Sequence, residues 1–333
     1  MHIDMKFADH LEPNLFQTEP EMVPTRNGYG EGLKEAGEKD KNVVAICGDL
    51  TESTRTHLFA EAFPERFIQG GIAEQNMASL ASGLAAMGKI PFVASYAMFN
   101  PGRSWEQVRT TVCYNDSNVK IIGAHAGISV GPDGATHQAI EDIAIMRVIP
   151  NMVVIAPADV HEARRATLAA AAYTGPVYIR LGREKTPVMT TVGSPFEIGK
   201  AQMFFEGNHD HARKVGIIST GALTYNAMSA ARELDGMGIG ACVLHVATIK
   251  PLDTEAVTKL AESHDAIVTV EEHQVAGGLG SAVAEHLSET KPIKIVKVGV
   301  HDEFGQSGTP EELIAHYGMD VPAIVDAAKR ALE

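Results

Sequence analysis

Glu74 is the first residue whose type and position suggest chemistry. It stands between a strand-like segment, Arg66–Ile68, and a run of small uncharged residues, Ala78–Ala86, that predicts a helix. Unpaired backbone N–H groups in the first turn of a helix stabilise a carboxylate, so Glu74 taken alone has a structural explanation. Because this helix is predicted to be buried, however, the carboxylate is suited to sharing a proton with a ligand nitrogen.

The loop His125–Gln138 is a second candidate, since it follows a predicted strand and precedes a predicted helix. It contains three glycines, one proline, two histidines and Asp133, which is more than a plain connection needs. Open α/β sheets bind their ligands at such strand ends. His125 and His137 are twelve positions apart with no cysteine nearby, which disfavours zinc. We therefore predict that the loop recognises a polar ligand and that the chain holds no metal.

A third set of side chains carries a functional prediction only if its members converge. Aromatic residues at these spacings usually belong to the core, and isolated arginines are usually solvated. Arginines that meet would instead grip a phosphate. The set consists of Arg26, Ser53, Tyr96, Phe99, Arg103, Trp105, Arg109 and Arg183.

Two further motifs are predicted to be structural. Gly277–Ser281 lacks the glycine spacing of a dinucleotide-binding fingerprint, so we interpret it as a tight turn before a helix. Glu271-Glu272-His273 suggests a metal site, but adjacent residues of an extended segment point to opposite faces. We expect these three residues to be polar loop residues.

The elements that position these residues alternate between short β-rich runs and longer stretches of helical period. This alternation predicts an α/β fold with two domains, each a mainly parallel sheet flanked by helices. The rhythm breaks over Glu184–Pro195, so we place the domains at residues 1–190 and 195–333. The predicted strands are Val43–Cys47, Ile90–Ala94, Val119–Ala124, Met152–Ile155, Val177–Arg180, Val215–Ser219, Ala241–His245, Ala266–Val270 and Ile293–Val298. The predicted helices are Ala73–Met87, Trp105–Tyr114, Ala139–Val148, Val160–Ala172, Ala222–Asp235, Thr254–Ser263 and Gly280–Leu287, followed by terminal helices.

Composition excludes several classes of function. The chain of 333 residues has 28 basic and 42 acidic side chains, a net charge of −14, which argues against non-specific nucleic-acid binding. Its 45% apolar residues can bury two cores, which excludes intrinsic disorder. No apolar run reaches the roughly 18 residues of a membrane span, and Met1–Leu15 lacks the apolar core of a signal peptide. Three scattered cysteines without metal or redox spacing indicate a reducing, cytoplasmic compartment.

Three of these features together resemble the pyrimidine-binding domain of transketolases and their thiamine-diphosphate relatives. They are Gly71-Ile72-Ala73-Glu74-Gln75, Phe99 and the His125–Gln138 loop. The resemblance covers nearly the whole chain, since residues 20 to about 190 resemble the pyrimidine domain and those from about 195 the family's C-terminal domain. The order and spacing of the two histidines and Asp133 match transketolase in particular.

The resemblance implies transfer of a two-carbon ketol unit from a ketose phosphate to an aldose phosphate, with thiamine diphosphate as cofactor. Glu74 would hydrogen-bond the pyrimidine nitrogen of the cofactor, whose thiazolium carbon acts as the nucleophile. His125 and Asp133 would bind the donor's hydroxyl groups. The implied catalytic residues are Glu74, His125 and His137; the further cofactor residues are Asp49, Tyr96, Phe99 and Arg103; and the sugar phosphate would lie against Arg26, Ser53, His137 and Arg183.

The chain departs from full-length transketolases in one respect. Those proteins begin with a diphosphate-binding domain that holds magnesium through a Gly-Asp-Gly motif, whereas Gly48-Asp49-Leu50 differs at the third position. We therefore expect this chain to be the C-terminal subunit of a split transketolase of the pentose phosphate pathway. A separate N-terminal subunit would hold the diphosphate and its Mg²⁺ or Ca²⁺. The chain would self-associate as a homodimer or within a heterotetramer.

Two alternatives stay open. The chain could be a subunit similar to deoxyxylulose-phosphate synthase or to the beta chain of a 2-oxo-acid dehydrogenase, although the His125–His137 loop speaks against the dehydrogenase. It could also be a non-catalytic interaction partner that keeps the fold. Retention of Glu74 argues against that second alternative, because its replacement by glutamine should abolish activity while leaving assembly intact.

Overall fold

The computed structural model describes residues 6–333. Residues 1–5, which belong to the segment Met1–Leu15 predicted to lack a signal peptide, lie outside the described residues. The strands are β1 (Lys6–Phe7), β2 (Met22–Pro24), β3 (Val43–Cys47), β4 (Phe67–Gln69), β5 (Ile90–Tyr96), β6 (Lys120–Ala124), β7 (Val153–Ile155), β8 (Val177–Arg180), β9 (Lys185–Pro187), β10 (Gln202–Glu206), β11 (Lys214–Ser219), β12 (Gly240–His245), β13 (Thr248–Lys250), β14 (Ala266–Gln274) and β15 (Ile295–Val300). The helices are α1 (Thr25–Lys39), α2 (His57–Ala62), α3 (Glu74–Ala86), α4 (Trp105–Gln107), α5 (Asp142–Arg147), α6 (Val160–Ala172), α7 (Thr224–Gly236), α8 (Thr254–Ser263), α9 (Leu279–Thr290), α10 (Pro310–His316) and α11 (Val321–Leu332).

The first sheet has the strand order β13-β7-β8-β6-β5-β3-β4 and is parallel except for β13. Successive residues of its strands face opposite sides, as the pleat requires. Ala45 and Ile122 pack toward α1, α2 and α6, whereas Ile46 and Ile121 pack toward α3 and α5. Both faces are therefore covered by helices, and ligands can reach the sheet only at its edges and strand ends.

The second sheet has the order β1-β10-β12-β11-β14-β15, with parallel pairing from β12 to β15. Helices α7 and α11 cover one face, and α8 and α9 cover the other. The core beneath α8 and α9 is continuous with the core beneath α3 and α5, so the two domains share one apolar interior. This architecture confirms the predicted α/β class with two mainly parallel sheets.

Each half of the chain contributes one short strand to the sheet of the other half. β13 pairs antiparallel with β7 of the first sheet, and β1 lies at the edge of the second sheet. Each sheet thus includes a strand from the other half of the sequence. The placement of the two domains at residues 1–190 and 195–333 remains a prediction.

Several predicted elements coincide with the observed ones, and three expectations were wrong. The helix expected over Trp105–Tyr114 is a single α turn followed by a π-helix, Val108–Cys113, and the helix expected over Ala139–Val148 shortens to α5. Glu271-Glu272-His273 lies inside strand β14 and is buried, so these are not loop residues. Their side chains do alternate in direction along the strand.

Helix α1 had no predicted counterpart, because four glycines interrupt its helical pattern. Two of them, Gly28 and Gly32, allow α1 to approach α6 closely. A Cβ at Gly28 would overlap the Val160 carbonyl, and one at Gly32 would lie 2.9 Å from the Arg164 carbonyl oxygen. Tertiary packing therefore stabilises a helix that local propensity disfavours. Among the described residues, no helix is long and apolar enough to cross a membrane.

Candidate active site

Most of the predicted site residues lie at one edge of the first sheet. Strands β4, β3, β5, β6 and β8 are neighbours and run parallel, so their carboxyl ends share that edge. The chain leaves these strand ends through the segments that contain Glu74, Asp49, Phe99, His125 and Arg183, respectively. The topological rule for open α/β sheets predicts a ligand site at this place.

Glu74 is the first residue of α3 and is only 3% exposed. One of its oxygens, Oε2, accepts a hydrogen bond of 2.7 Å from the Arg103 guanidinium, whose side chain is 48% exposed. The same guanidinium lies 4.7 Å from the centroid of the Phe99 ring. A buried carboxylate, an aromatic face and a long cationic side chain therefore meet at one point.

Four rings form a continuous cluster beside this point. Tyr96 stacks on His125 with ring centroids 3.8 Å apart, and on Phe99 at 6.1 Å. His137 meets Phe99 edge-on at 5.6 Å and Tyr96 at 6.2 Å. The two histidines of the loop thus lie next to the aromatic residues that follow β5, which the sequence alone did not require.

His125 is buried in a left-handed backbone conformation with φ of 53°. Burial, followed by the charges of Arg26, Arg183 and His137, lowers the pKa of its imidazole to about 3, so the ring is neutral at neutral pH. Nε2 lies 3.2 Å from Nη1 of Arg26, and because a guanidinium can only donate, Nε2 accepts and the ring proton resides on Nδ1. Nδ1 is buried and has no hydrogen-bond partner within the described residues. A ligand oxygen could satisfy it.

Arg26 links His125 to the segment after β3. Its Nη1 donates to the backbone carbonyl of Ser53 at 2.9 Å, so the observed contact uses the Ser53 main chain. Arg55 lies nearby, anchored by a 2.8 Å hydrogen bond to the Asn27 side chain. Burial and the positive charge of Arg55 lower the pKa of Arg26, which means that its cation is partly desolvated and lies close to other positive charge. An anion would relieve that charge concentration.

Arg183 approaches the site from the end of β8. Its Nη1 donates to the carbonyl of Val130 at 2.7 Å and lies 3.5 Å from the Asp133 carboxylate. Arg183 and Asp133 are each about one-third exposed, so both remain accessible to a ligand. Its Nε also lies 3.4 Å from the Glu184 carboxylate. Arg183 therefore ties the His125–Gln138 loop to the end of β8, with a carboxylate on either side of its guanidinium.

The structure unites most of the predicted residues and separates a few. Arg26, Tyr96, Phe99, His125 and His137 form one connected cluster, which Glu74 and Arg103 extend through Phe99. Other predicted residues lie elsewhere. Asp49 is exposed after the end of β3, and its side chain forms no hydrogen bond or ion pair with this cluster among the described residues. Trp105 donates to the Ile145 carbonyl, and Arg109 lines a separate cleft with Cys113 and Tyr114.

Sequence reasoning missed Arg55 and Asn27. The available signal was weak, because Arg55 follows Ser53 by two residues and Asn27 follows Arg26 directly, and nothing local shows that the two pairs converge. The described residues bring together no group of three or more histidine, cysteine, aspartate or glutamate side chains that could hold a metal. The arrangement as a whole can hold an aromatic, nitrogen-bearing ring beside Glu74 and an anionic, hydroxylated ligand beside His125.

Comparison with known proteins gives consistent matches over the chain. The family model described as transketolase, pyrimidine binding domain, matches residues 21–189, and that described as transketolase, C-terminal domain, matches residues 208–324. A putative transketolase C-terminal section from Methanocaldococcus jannaschii is 47% identical over 311 residues, covering 92% of this chain and 95% of that protein. A 6-deoxy-6-sulfo-D-fructose transketolase subunit from Clostridium sp. is 41% identical, covering 96% and 97%. A solved structure of a split gene transketolase, described as an inactive beta4 tetramer, superimposes with a TM-score of 0.86 at 46% identity, covering 93% of this chain and 98% of that one.

Proposed function

The chain belongs to the transketolase family, and we propose that it is the C-terminal subunit of a split transketolase. It would transfer a two-carbon ketol unit from a ketose phosphate to an aldose phosphate. Thiamine diphosphate would bind between this chain and a separate N-terminal subunit. That subunit would hold the diphosphate and its Mg²⁺ or Ca²⁺.

The group of Glu74, Phe99 and Arg103 is the observation that carries this proposal. Arg103 places a planar, nitrogen-bearing cation against Phe99 while it donates to Glu74. An aminopyrimidine ring stacked on Phe99 and hydrogen-bonded to Glu74 would make the same two kinds of contact. Because the Arg103 side chain is about half exposed, it can turn toward solvent and leave this space to the ring. The residues present therefore fit the cofactor's pyrimidine.

Glu74 would then hold a proton at the pyrimidine ring nitrogen. This task suits a carboxylate that is shielded from bulk water, as its burial provides. Thiamine diphosphate, when bound, supplies a thiazolium carbon that adds to a ketose carbonyl and carries the two-carbon unit. Tyr96 and Arg103 would border the ring, and Asp49 would reach the cofactor only from its exposed position at the end of β3.

The sugar would lie along the His125–Gln138 loop. His125, neutral at neutral pH, would present its Nδ1 proton to a donor hydroxyl, and Asp133 would bind another. Arg26, Arg183, His137 and the Ser53 segment would hold the anionic end. Because the cations are close and the net charge of −14 is spread over the whole surface, screening favours the local attraction. The Clostridium relative is named for a sulfonated sugar, so a sulfonate is a second anion to test.

Partner and assembly are argued from the relatives. The Methanocaldococcus relative is described as a C-terminal section and has nearly the length of this chain. The solved split gene transketolase is described as an inactive tetramer of beta chains. Both support a chain that self-associates and needs a second subunit for turnover.

The three cysteines of the described residues are free and buried, which supports the proposed reducing, cytoplasmic compartment.

The experiment that tests this proposal is a calorimetric titration with thiamine diphosphate and Mg²⁺, first of the chain alone and then of the chain mixed with a candidate N-terminal subunit. We expect weak binding to the chain alone, and tight binding with ketol transfer from a ketose phosphate after mixing. Tight, magnesium-dependent binding to the isolated chain would contradict the split site. Turnover of pyruvate instead of a ketose would favour a deoxyxylulose-phosphate synthase-like subunit. Tight binding without any turnover would favour a non-catalytic partner.

A further inference from the structure

The second domain contacts the His125–Gln138 loop directly. The loop runs as an irregular turn over Ile128–Asp133, and three of its glycines have positive φ. The loop has hydrogen bonds of its own, such as those from the N–H groups of His137 and Gln138 to the Gly134 carbonyl. Two parts of the second domain add further contacts to it: Glu272 on β14, and the segment 305–310 at the beginning of α10.

Glu272 holds the beginning of the loop. Its carboxylate is buried and accepts a 2.5 Å hydrogen bond from the backbone N–H of Ser129. Gly127, with φ of 90°, lies so close that a Cβ there would overlap the Glu272 carboxylate. His125 precedes this anchored turn by only a few residues. The Glu272 carboxylate therefore acts as a fixed hydrogen-bond acceptor that constrains the path of the loop backbone.

The segment 305–310 holds the rest of the loop. The Gln138 side chain donates to the Gln306 carbonyl at 2.9 Å and to the Ile128 carbonyl at 3.0 Å, which joins both ends of the loop to the second domain. A Cβ at Gly305 would overlap Oε1 of Gln138. Gly134 packs on Ser307 in the same way. Asp133 and His137 lie in this part of the loop.

We propose that the second domain positions the sugar-binding loop, with Glu272 as the positioning residue for His125 and Asp133. The loop-shaping part stands on the contacts alone, whereas its consequence for the sugar rests on the proposed function. Burial raises the pKa of the Glu272 carboxyl, and either protonation state keeps an oxygen that can accept from Ser129. The second domain thus acts within the active site, beyond its packing role.

Glu271 offers a matched control one residue away. It is also buried on β14 but points to the opposite side, where its two oxygens accept from the N–H groups of Leu279 and Gly280 at 2.7 and 2.8 Å. Glu271→Ala therefore removes a buried carboxylate from the same strand without touching the loop. Glu272→Gln keeps an acceptor oxygen and serves as the conservative variant.

The test has two readouts. Hydrogen exchange of the full chain, followed by mass spectrometry of the segment 126–138, should accelerate at least about tenfold at Ser129 relative to the rest of the chain in Glu272→Ala, because a lost buried acceptor frees the amide. In Glu271→Ala and Glu272→Gln the ratio of exchange in this segment to exchange in the rest of the chain should stay near that of the wild type, even where overall stability falls. In the reconstituted enzyme, Glu272→Ala should raise KM for the ketose several-fold with little change in kcat. Gly305→Ala, which displaces Gln138, should accelerate exchange in the same segment if Glu272→Ala fails to fold.

Equal exchange of the loop in Glu272→Ala and Glu271→Ala, or slow exchange in both Glu272→Ala and Gly305→Ala, would overturn the inference. Accelerated exchange together with an unchanged KM would overturn its part concerning the sugar. If exchange accelerates but even the wild-type mixture shows no ketol transfer, the proposed function fails while the positioning by Glu272 stands.

Discussion

Glu74 and Glu271 are buried carboxylates beside the first residues of a helix, one in each domain. Glu271 has both oxygens occupied by backbone N–H groups of α9. Glu74 begins α3, and the partner of its Oε2 is the half-exposed side chain of Arg103. A long side chain can leave, whereas the backbone of a helix cannot. The comparison teaches that burial alone does not mark a functional carboxylate; the nature of its partner does.

Two arginines at the end of β8 repeat this contrast. Arg180 is buried, with Nε 2.9 Å from Asp142, and it also donates to the Ala139 and Glu272 carbonyls. Arg183 is one-third exposed and faces Asp133 at 3.5 Å. Arg180 is engaged by partners of its own chain, and its bond to the Glu272 carbonyl joins β8 to the second domain. Arg183 keeps capacity for a ligand, so we expect it to act on the sugar phosphate.

The largest expected effect separates the two carboxylates by activity. Glu74→Gln should lower kcat/KM of the reconstituted enzyme at least about 100-fold, because a neutral amide cannot hold the proton that the cofactor nitrogen requires. Its free energy of unfolding should change by less than about 1 kcal/mol, since the lost ion pair is half exposed. Glu271→Gln is the control and should leave kcat/KM nearly unchanged. Normal ketol transfer by Glu74→Gln would show that the two carboxylates do not differ in the proposed way.

The second expected effect compares the same two carboxylates by stability, where Glu271 is expected to matter more than Glu74. Glu271→Ala should lower the free energy of unfolding by about 2–3 kcal/mol, because two buried N–H groups at the start of α9 lose their acceptors. Urea denaturation of the isolated chain measures this without cofactor or partner. Glu74→Ala, at the start of α3, is the matched variant and should cost less. Equal losses in both variants would contradict the distinction drawn here.

The third effect concerns the two arginines. Arg183→Ala should raise KM about tenfold for phosphorylated ketoses and leave KM for unphosphorylated ketoses nearly unchanged, since only the former lose a charge-assisted contact. Steady-state kinetics with both donors measures the difference. Lys185→Ala removes an exposed cation two residues away and controls for net charge. An equal rise for both donors would remove Arg183 from the phosphate site.

The smallest effect tests whether Arg103 occupies the pyrimidine space. Arg103→Ala should lower the Kd of thiamine diphosphate in the reconstituted enzyme, by no more than about fivefold, because a half-exposed ion pair contributes about 0–1 kcal/mol. Calorimetric titration measures the change. Arg109→Ala, an exposed arginine on the following turn, is the control. A higher Kd in Arg103→Ala would mean that the side chain assists the bound ring and does not compete with it.

Regular elements were the easiest to predict. The expected bounds of β3, β8, α6 and α8 coincide with the observed ones, because each has a clear hydrophobic period or run and clear ends. Helix α1 escaped prediction because its glycines serve contact with α6 and oppose helix propensity. The two-residue β1 and the three-residue β13 are too short to show a period, and each depends on a sheet that is distant in sequence.

The sequence predicted residues of the candidate site, but not which of them contact one another. The clustering of His125 and His137 with Tyr96 and Phe99 follows from the parallel order of β5 and β6, which brings their ends side by side. The convergence of Arg26 with Arg55, and the exposed position of Asp49, depend on loop paths with no repeating pattern. Site roles carried over from the family resemblance stay predictions for the experiments above.

By itself, the sequence determined the order of the longer strands and of most helices, the α/β class and the chemistry available at the strand ends. Hydrophobic period, glycine placement and residue type are local properties, so they can be read along the chain. Only the tertiary structure decided which polar groups are saturated and which remain for a ligand. Glu272 and Ser129 are 143 residues apart, and Glu271 differs from Glu272 only in the face of β14 that it occupies. Partners of this kind are set by the packing of two domains, which no local pattern encodes.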